Sequence, residues 1–193
     1  MKDSDKRGKI MQTALELFAE QGFHGVPMTM IAQKASVAIG TIYLYFTNKE
    51  SLINEVFLEM EKTIIATIQD ELPTNRPIRE RFLHVTRVLI KYFINHPLQF
   101  RYMEQYMNSP FGISRRRDAV VGKYSNYEIL SVIFEEGITH QILKDLPIGM
   151  LYSVGIGSLM FLIRDHILGF VTLDENSINQ VTEACWDGIK RYR

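Results

Sequence analysis

The sequence predicts an all-α protein of roughly nine helices, and three observations carry that prediction. Apolar residues recur at helical spacing through nearly all of the 193 residues. No alternating strand pattern, Asn-Gly hairpin signal, internal repeat or low-complexity tract interrupts them. Pro27, Pro73, Pro77, Pro97, Pro110 and Pro147 each lie at the edge of a periodic stretch, where proline is tolerated.

In chain order, Ile10, Ala14, Leu17 and Phe18 give the stripe of a first helix, which Gly22 closes as a C-terminal cap. A short second helix follows Thr29, and a third covers Gly40 to Phe46. A long fourth helix runs from Asn48 to about Leu72, opened by a Thr47–Glu50 capping box or by Asn48. Ile78 to Asn95 and Leu98 to Asn108 are the next two segments. A polar loop with Gly112 and Arg115-Arg116-Arg117 then leads to a helix ending near Gly137. Pro147 opens a long apolar helix reaching about Phe170. Asp174 and Glu175 open the last helix, which carries Ile178, Val181, Cys185 and Ile189 on one face.

Composition bounds the function. With 46% hydrophobic and 23% charged residues, the chain has the makeup of a soluble globular protein. Its 22 Lys+Arg balance 22 Asp+Glu, short of the basic excess of many DNA-binding domains. A lone cysteine excludes an intramolecular disulfide framework and a Cys-rich zinc site, and fits a reducing compartment. No signal peptide is read at the N-terminus. Leu146 to Ile163 runs 18 residues without a charge, close to the lower limit for a spanning helix. Its glycines and serines, in an otherwise amphipathic chain, favour a helix buried against its own domain and a partner subunit.

Residues 29–49 carry the motif. Two short helices joined at Ser36-Val37-Ala38 form a helix-turn-helix, with Ile31, Ala32, Ala35, Val37, Ile42 and Phe46 as its small core. Thr41, Tyr43, Leu44 and Tyr45 remain on the second helix, whose hydroxyls suit phosphates and whose rings suit thymine methyls and sugars. Lys49 sits in the first turn of the fourth helix, where the macrodipole disfavours a cation. Such a lysine is either simply solvated or placed to meet an external phosphate at the same amides.

From Ala14, Leu17, Phe18 and Gly22 to Gly-Thr-Ile-Tyr-Leu-Tyr-Phe-Thr-Asn-Lys-Glu at 40–50, the stretch of about residues 8–56 resembles the tetracycline-repressor (TetR) family of transcriptional regulators. The resemblance implies a helix-turn-helix domain over residues 1–47 and a helical effector and dimerisation domain over 48–193, linked by the helix 48–72. It implies a cytoplasmic homodimer, most often a repressor, that binds a palindromic double-stranded DNA operator and releases it when a small-molecule effector binds, which the aromatic- and Met-rich helices of residues 78–170 predict to be largely apolar. Thr29, Gly40, Thr41, Tyr43, Leu44, Tyr45 and Lys49 are then the DNA contacts. Ser36 stands where the family often has glycine, Ala38 where serine is common, and Ile39 where a basic or polar residue is common. Two phosphate contacts of the family pattern are therefore absent.

Phe100, Met103, Tyr106 and Phe111 share one side of a helix, which fits either an ordinary core or one wall of a ligand pocket. With Tyr127, Phe161 and Arg164 they are the effector candidates. Ser153, Gly157, Met160, Val181 and Cys185 are the candidate dimer interface of the last two long helices. Arg115-Arg116-Arg117 reads as a solvated loop, and Cys185 as an inert buried thiol rather than a redox sensor. The five histidines show no metal-ligand spacing, and Asp165 and His166, adjacent on a helix, diverge too far to pair. Neither a catalytic set nor a cofactor or metal site is predicted.

Overall fold

The computed structural model describes residues 3–70, 72, 74–120 and 128–192, and among them the elements are helical. Ten helices follow in order: α1 (Asp3–Gly25), α2 (Met28–Lys34), α3 (Ile39–Tyr45), α4 (Lys49–Asp70), α5 (Ile78–Asn95), α6 (Pro97–Met107), α7 (Pro110–Val120), α8 (Glu128–Thr139), α9 (Ile148–Ile167) and α10 (Glu175–Ile189). An isolated antiparallel bridge joins Leu143 to Lys190.

One helix more than expected appears because 110–120 is helical rather than a loop. Ser109 starts it: its hydroxyl donates to the Tyr106 carbonyl and accepts from the Gly112 amide, satisfying a donor of the first turn. Gly112 is required there, since a Cβ would overlap the Tyr106 carbonyl and come within 2.7 Å of Met107 Cα. Arg115 is consequently buried, while Arg116 and Arg117 stay exposed. Gly22 does not end α1 but kinks it, with φ 76°, and the helix resumes to Gly25. At α4, Asn48 is the cap: its Oδ1 accepts from the Ser51 amide at 2.8 Å. The helix α2 begins before Thr29, behind Pro27 in extended geometry.

By packing, the chain divides into two units, each drawn from two stretches of the sequence. The first unit takes residues 1–63 together with 96–117; the second takes 64–95 and 118–193. In the first, α1 packs on α6, and Phe18, Phe23, Tyr102 and Phe111 form an aromatic cluster with centroids 5.4–6.3 Å apart. The Tyr102 hydroxyl donates to the Ile53 carbonyl at 2.6 Å, fastening α6 to α4.

In the second unit, α5, α8, α9 and α10 enclose Phe82, Phe134 and Trp186. Phe82 and Phe134 each contribute about 1.5–3 kcal/mol on burial. The middle of α9, Ser153–Gly157, is a π-helical turn. Its Gly155 lies against the Phe82 ring and Ile189, where a Cβ would sit 3.3–3.4 Å from both. Gly169, with φ 80°, terminates α9, and the Phe170 amide returns to the Asp165 carbonyl. By length and composition α9 is apolar enough to cross a membrane. One face of it, Leu159 and Ile163, is fully buried within the unit. The Asp174 side chain caps α10 by accepting from the Ser177 amide, and that bond holds its carboxyl below the usual range.

Candidate nucleic-acid interface

The helix-turn-helix is built by α2 and α3 with Ile31, Ala32, Ala35, Ile42 and Phe46 buried beneath them. In the turn, the Ser36 amide donates to the Gln33 carbonyl and the Val37 amide to the Ala32 carbonyl, both at 3.0 Å. Ser36 thereby takes φ 56°, the left-handed region that glycine enters without steric cost. This is the physical reason for a glycine preference at that position.

On α3, Ile42 alone is buried. Tyr43 is 52% and Leu44 82% exposed, Thr41 and Tyr45 are half-buried, and Gly40 has nothing within 4 Å of where a Cβ would stand. Thr29 is exposed on α2. Lys49 is not simply solvated. Its ammonium lies 5.9 Å from the centroid of Phe18, and burial pushes its pKa down. Nothing in the sequence marks Arg7, yet its side chain braces this unit. Its guanidinium bonds Glu55 at 2.7 Å and lies 5.5 Å from the Phe46 centroid. No sequence spacing links residues 48 positions apart, so only the fold reveals the pair.

The effector candidates separate. Phe100, Met103, Tyr106 and Phe111 belong to the first unit, Phe161 and Arg164 to the second, and Tyr127 lies outside the described residues. Phe100 is buried, and Tyr106 stacks on Phe57 with centroids 3.9 Å apart while its hydroxyl donates to Asn54. These side chains of α6 thus pack within the first unit. A cavity of about 350 Å³ in the first unit is lined instead by Arg7, Met11, Leu15, Val56, Met60 and Gln99, among others.

Of the interface candidates, Ser153 is exposed, and Gly157, Met160 and Val181 are half-buried. Cys185 is buried within its own chain, its sulfur 3.3 Å from the Ser158 hydroxyl, and burial raises its pKa. Phe161 is 63% exposed beneath the Arg164 guanidinium, 4.9 Å from its centroid. Among the described residues, no three His, Cys, Asp or Glu side chains converge as a metal site.

A helix-turn-helix with an exposed second helix, in a chain whose other described elements are helical, is the form of a DNA-binding transcriptional regulator. The chain belongs to the TetR family. Residues 10–56 match the model for bacterial regulatory proteins of the tetR family, and residues 77–190 that for the tetracyclin repressor-like C-terminal domain. It is 31% identical over 147 residues to the fatty acid metabolism regulator protein of Bacillus subtilis strain 168, covering 72% of this chain and 73% of that one. Its fold matches a TetR family transcription regulator from Marinobacter aquaeolei VT8, with TM-score 0.87, 21% identity and 98% of both chains covered. It also matches the transcriptional regulator FadR from Bacillus subtilis in complex with stearoyl-CoA, with TM-score 0.74, 21% identity and 93% and 95% covered.

Proposed function

We propose that the protein is a cytoplasmic repressor that binds a palindromic operator as a homodimer and releases it when a long-chain acyl-coenzyme A occupies its helical domain. The effector class is supported by the 31% identity to a fatty acid metabolism regulator, over 147 residues and so far beyond the helix-turn-helix at 10–56, with acyl-coenzyme A suggested by the stearoyl-CoA bound to the FadR structure that shares the fold. In this reading Gly40, Thr41, Tyr43 and Leu44 face the major groove, while Thr29, Tyr45 and Lys49 meet the flanking phosphates.

Dimerisation is supported by apolar side chains that the single chain leaves uncovered on α9 and just after it, namely Met150, Val154, Phe161, Leu168 and Phe170. Paired two-fold through α9 and α10, two subunits present recognition helices to half-sites about 34 Å apart, or a multiple of that. Gly157 and Ser153 allow close approach on the same helix.

The test uses genomic fragments captured by the purified full-length protein. Stearoyl-CoA, added at saturation, lowers affinity for the captured duplex at least tenfold, whereas coenzyme A alone does not. Unchanged affinity with stearoyl-CoA bound contradicts the acyl effector.

A further inference from the structure

The surface of α3 lacks the groups that usually read purines. Its seven residues, Ile-Gly-Thr-Ile-Tyr-Leu-Tyr, include no Arg, Lys, Asn, Gln, Asp or Glu. Those types supply the bidentate hydrogen bonds to guanine and adenine edges, and the acceptors for cytosine. What α3 exposes instead is hydrocarbon: Leu44, more exposed than any other large apolar residue among those described, with Ile39 and the Tyr43 ring. Gly40 and Thr41 lie four and three residues before Leu44, on its own face of the helix. With nothing near Gly40, the flank of the leucine is open to a close approach by an outside surface.

An apolar side chain held in the major groove has one matching feature among the base edges, the C5-methyl group of thymine. We infer that Leu44 is a specificity-determining residue that reads thymine methyl groups, so that each operator half-site contains one or two T·A pairs recognised by hydrocarbon contact. This rests on the reading of α3 as the recognition helix. At 82% exposed, Leu44 is not held apolar by burial in the core, and hydrocarbon so exposed gains nothing for the free protein.

The experiment compares duplexes that differ only by the methyl. Full-length protein enriches duplexes from a random library made with thymidine, and the enriched duplex is resynthesised with deoxyuridine replacing thymidine one position at a time. Wild-type binding falls about fourfold at one or two positions per half-site, the value of one buried methyl-sized group. Leu44→Ala binds the thymidine and deoxyuridine duplexes within twofold of each other, and Leu44→Met restores the difference. Equal wild-type affinity for both duplexes at every position overturns the inference, as does a Leu44→Ala variant that keeps the fourfold difference. If wild type enriches no duplex at all, α3 is not a recognition helix and both readings fall together.

Discussion

The guanidinium of Arg115 and the carboxylate of Glu61 meet at 2.5 Å with side chains only 8% and 14% exposed, joining α7 to α4. The guanidinium also lies 5.3 Å from the centroid of Phe57, whose ring stacks on Tyr106. Removing one partner leaves a buried charge. Arg115→Ala should therefore cost about 3–5 kcal/mol in urea unfolding. The paired replacement Arg115→Met with Glu61→Leu should cost less than Arg115→Ala alone, because no charge is stranded. Equal stabilities of wild type and Arg115→Ala would show that the pair contributes nothing.

Ser36 occupies the left-handed region at the centre of the helix-turn-helix turn. An L-residue there is disfavoured by about 1–2 kcal/mol, and glycine returns part of that gain as chain entropy. Ser36→Gly should raise stability by up to about 1 kcal/mol, with no change in the far-ultraviolet dichroism of the fold. A loss of stability would contradict this account of the turn.

For Lys49, the expected readout is salt dependence. If its ammonium meets a phosphate, Lys49→Ala weakens all duplexes similarly and reduces the slope of log affinity against log salt by about one per subunit. Its contact with Phe18 predicts a second, smaller effect on stability. An unchanged slope with weakened stability would assign Lys49 to packing alone.

Tyr102 makes stability sensitive to alkali. Burial, and secondarily the neighbouring Tyr106 hydroxyl, raises its pKa well above the usual tyrosine value. The folded state therefore keeps the proton, while the unfolded chain loses it above about pH 10. There the unfolded state binds fewer protons, so stability falls as pH rises, by up to about 1.4 kcal/mol per pH unit. Tyr102→Phe should cost about 1 kcal/mol at neutral pH through the lost bond to Ile53 and should show a shallower alkaline decline. Parallel declines for the two proteins would contradict the assignment.

The helices were legible wherever apolar periodicity and a cap coincide, as at Asn48 and Asp174. The helix-turn-helix was legible because its small core is local, so Ile31, Ala35 and Ile42 sit within one short window. The helix α7 was not, because its start depends on a hydroxyl and a missing Cβ, and its burial of Arg115 depends on a glutamate 54 positions away. The reading of α6 stayed ambiguous for the same reason. A stripe of Phe100, Met103 and Tyr106 looks alike whether it faces ligand or core, and its partners, such as Asn54 and Phe57, lie far away along the chain.

The central claim is that operator and acyl effector compete through one protein, and linkage tests it most directly. Stearoyl-CoA is titrated into the full-length protein with and without saturating operator DNA. An effector that lowers operator affinity tenfold must prefer the released form by about 1.4 kcal/mol, and operator must weaken its binding by the same factor. A tenfold shift in the dissociation constant of stearoyl-CoA is the expected result. Equal dissociation constants in the two titrations would contradict it, however tightly the ligand binds.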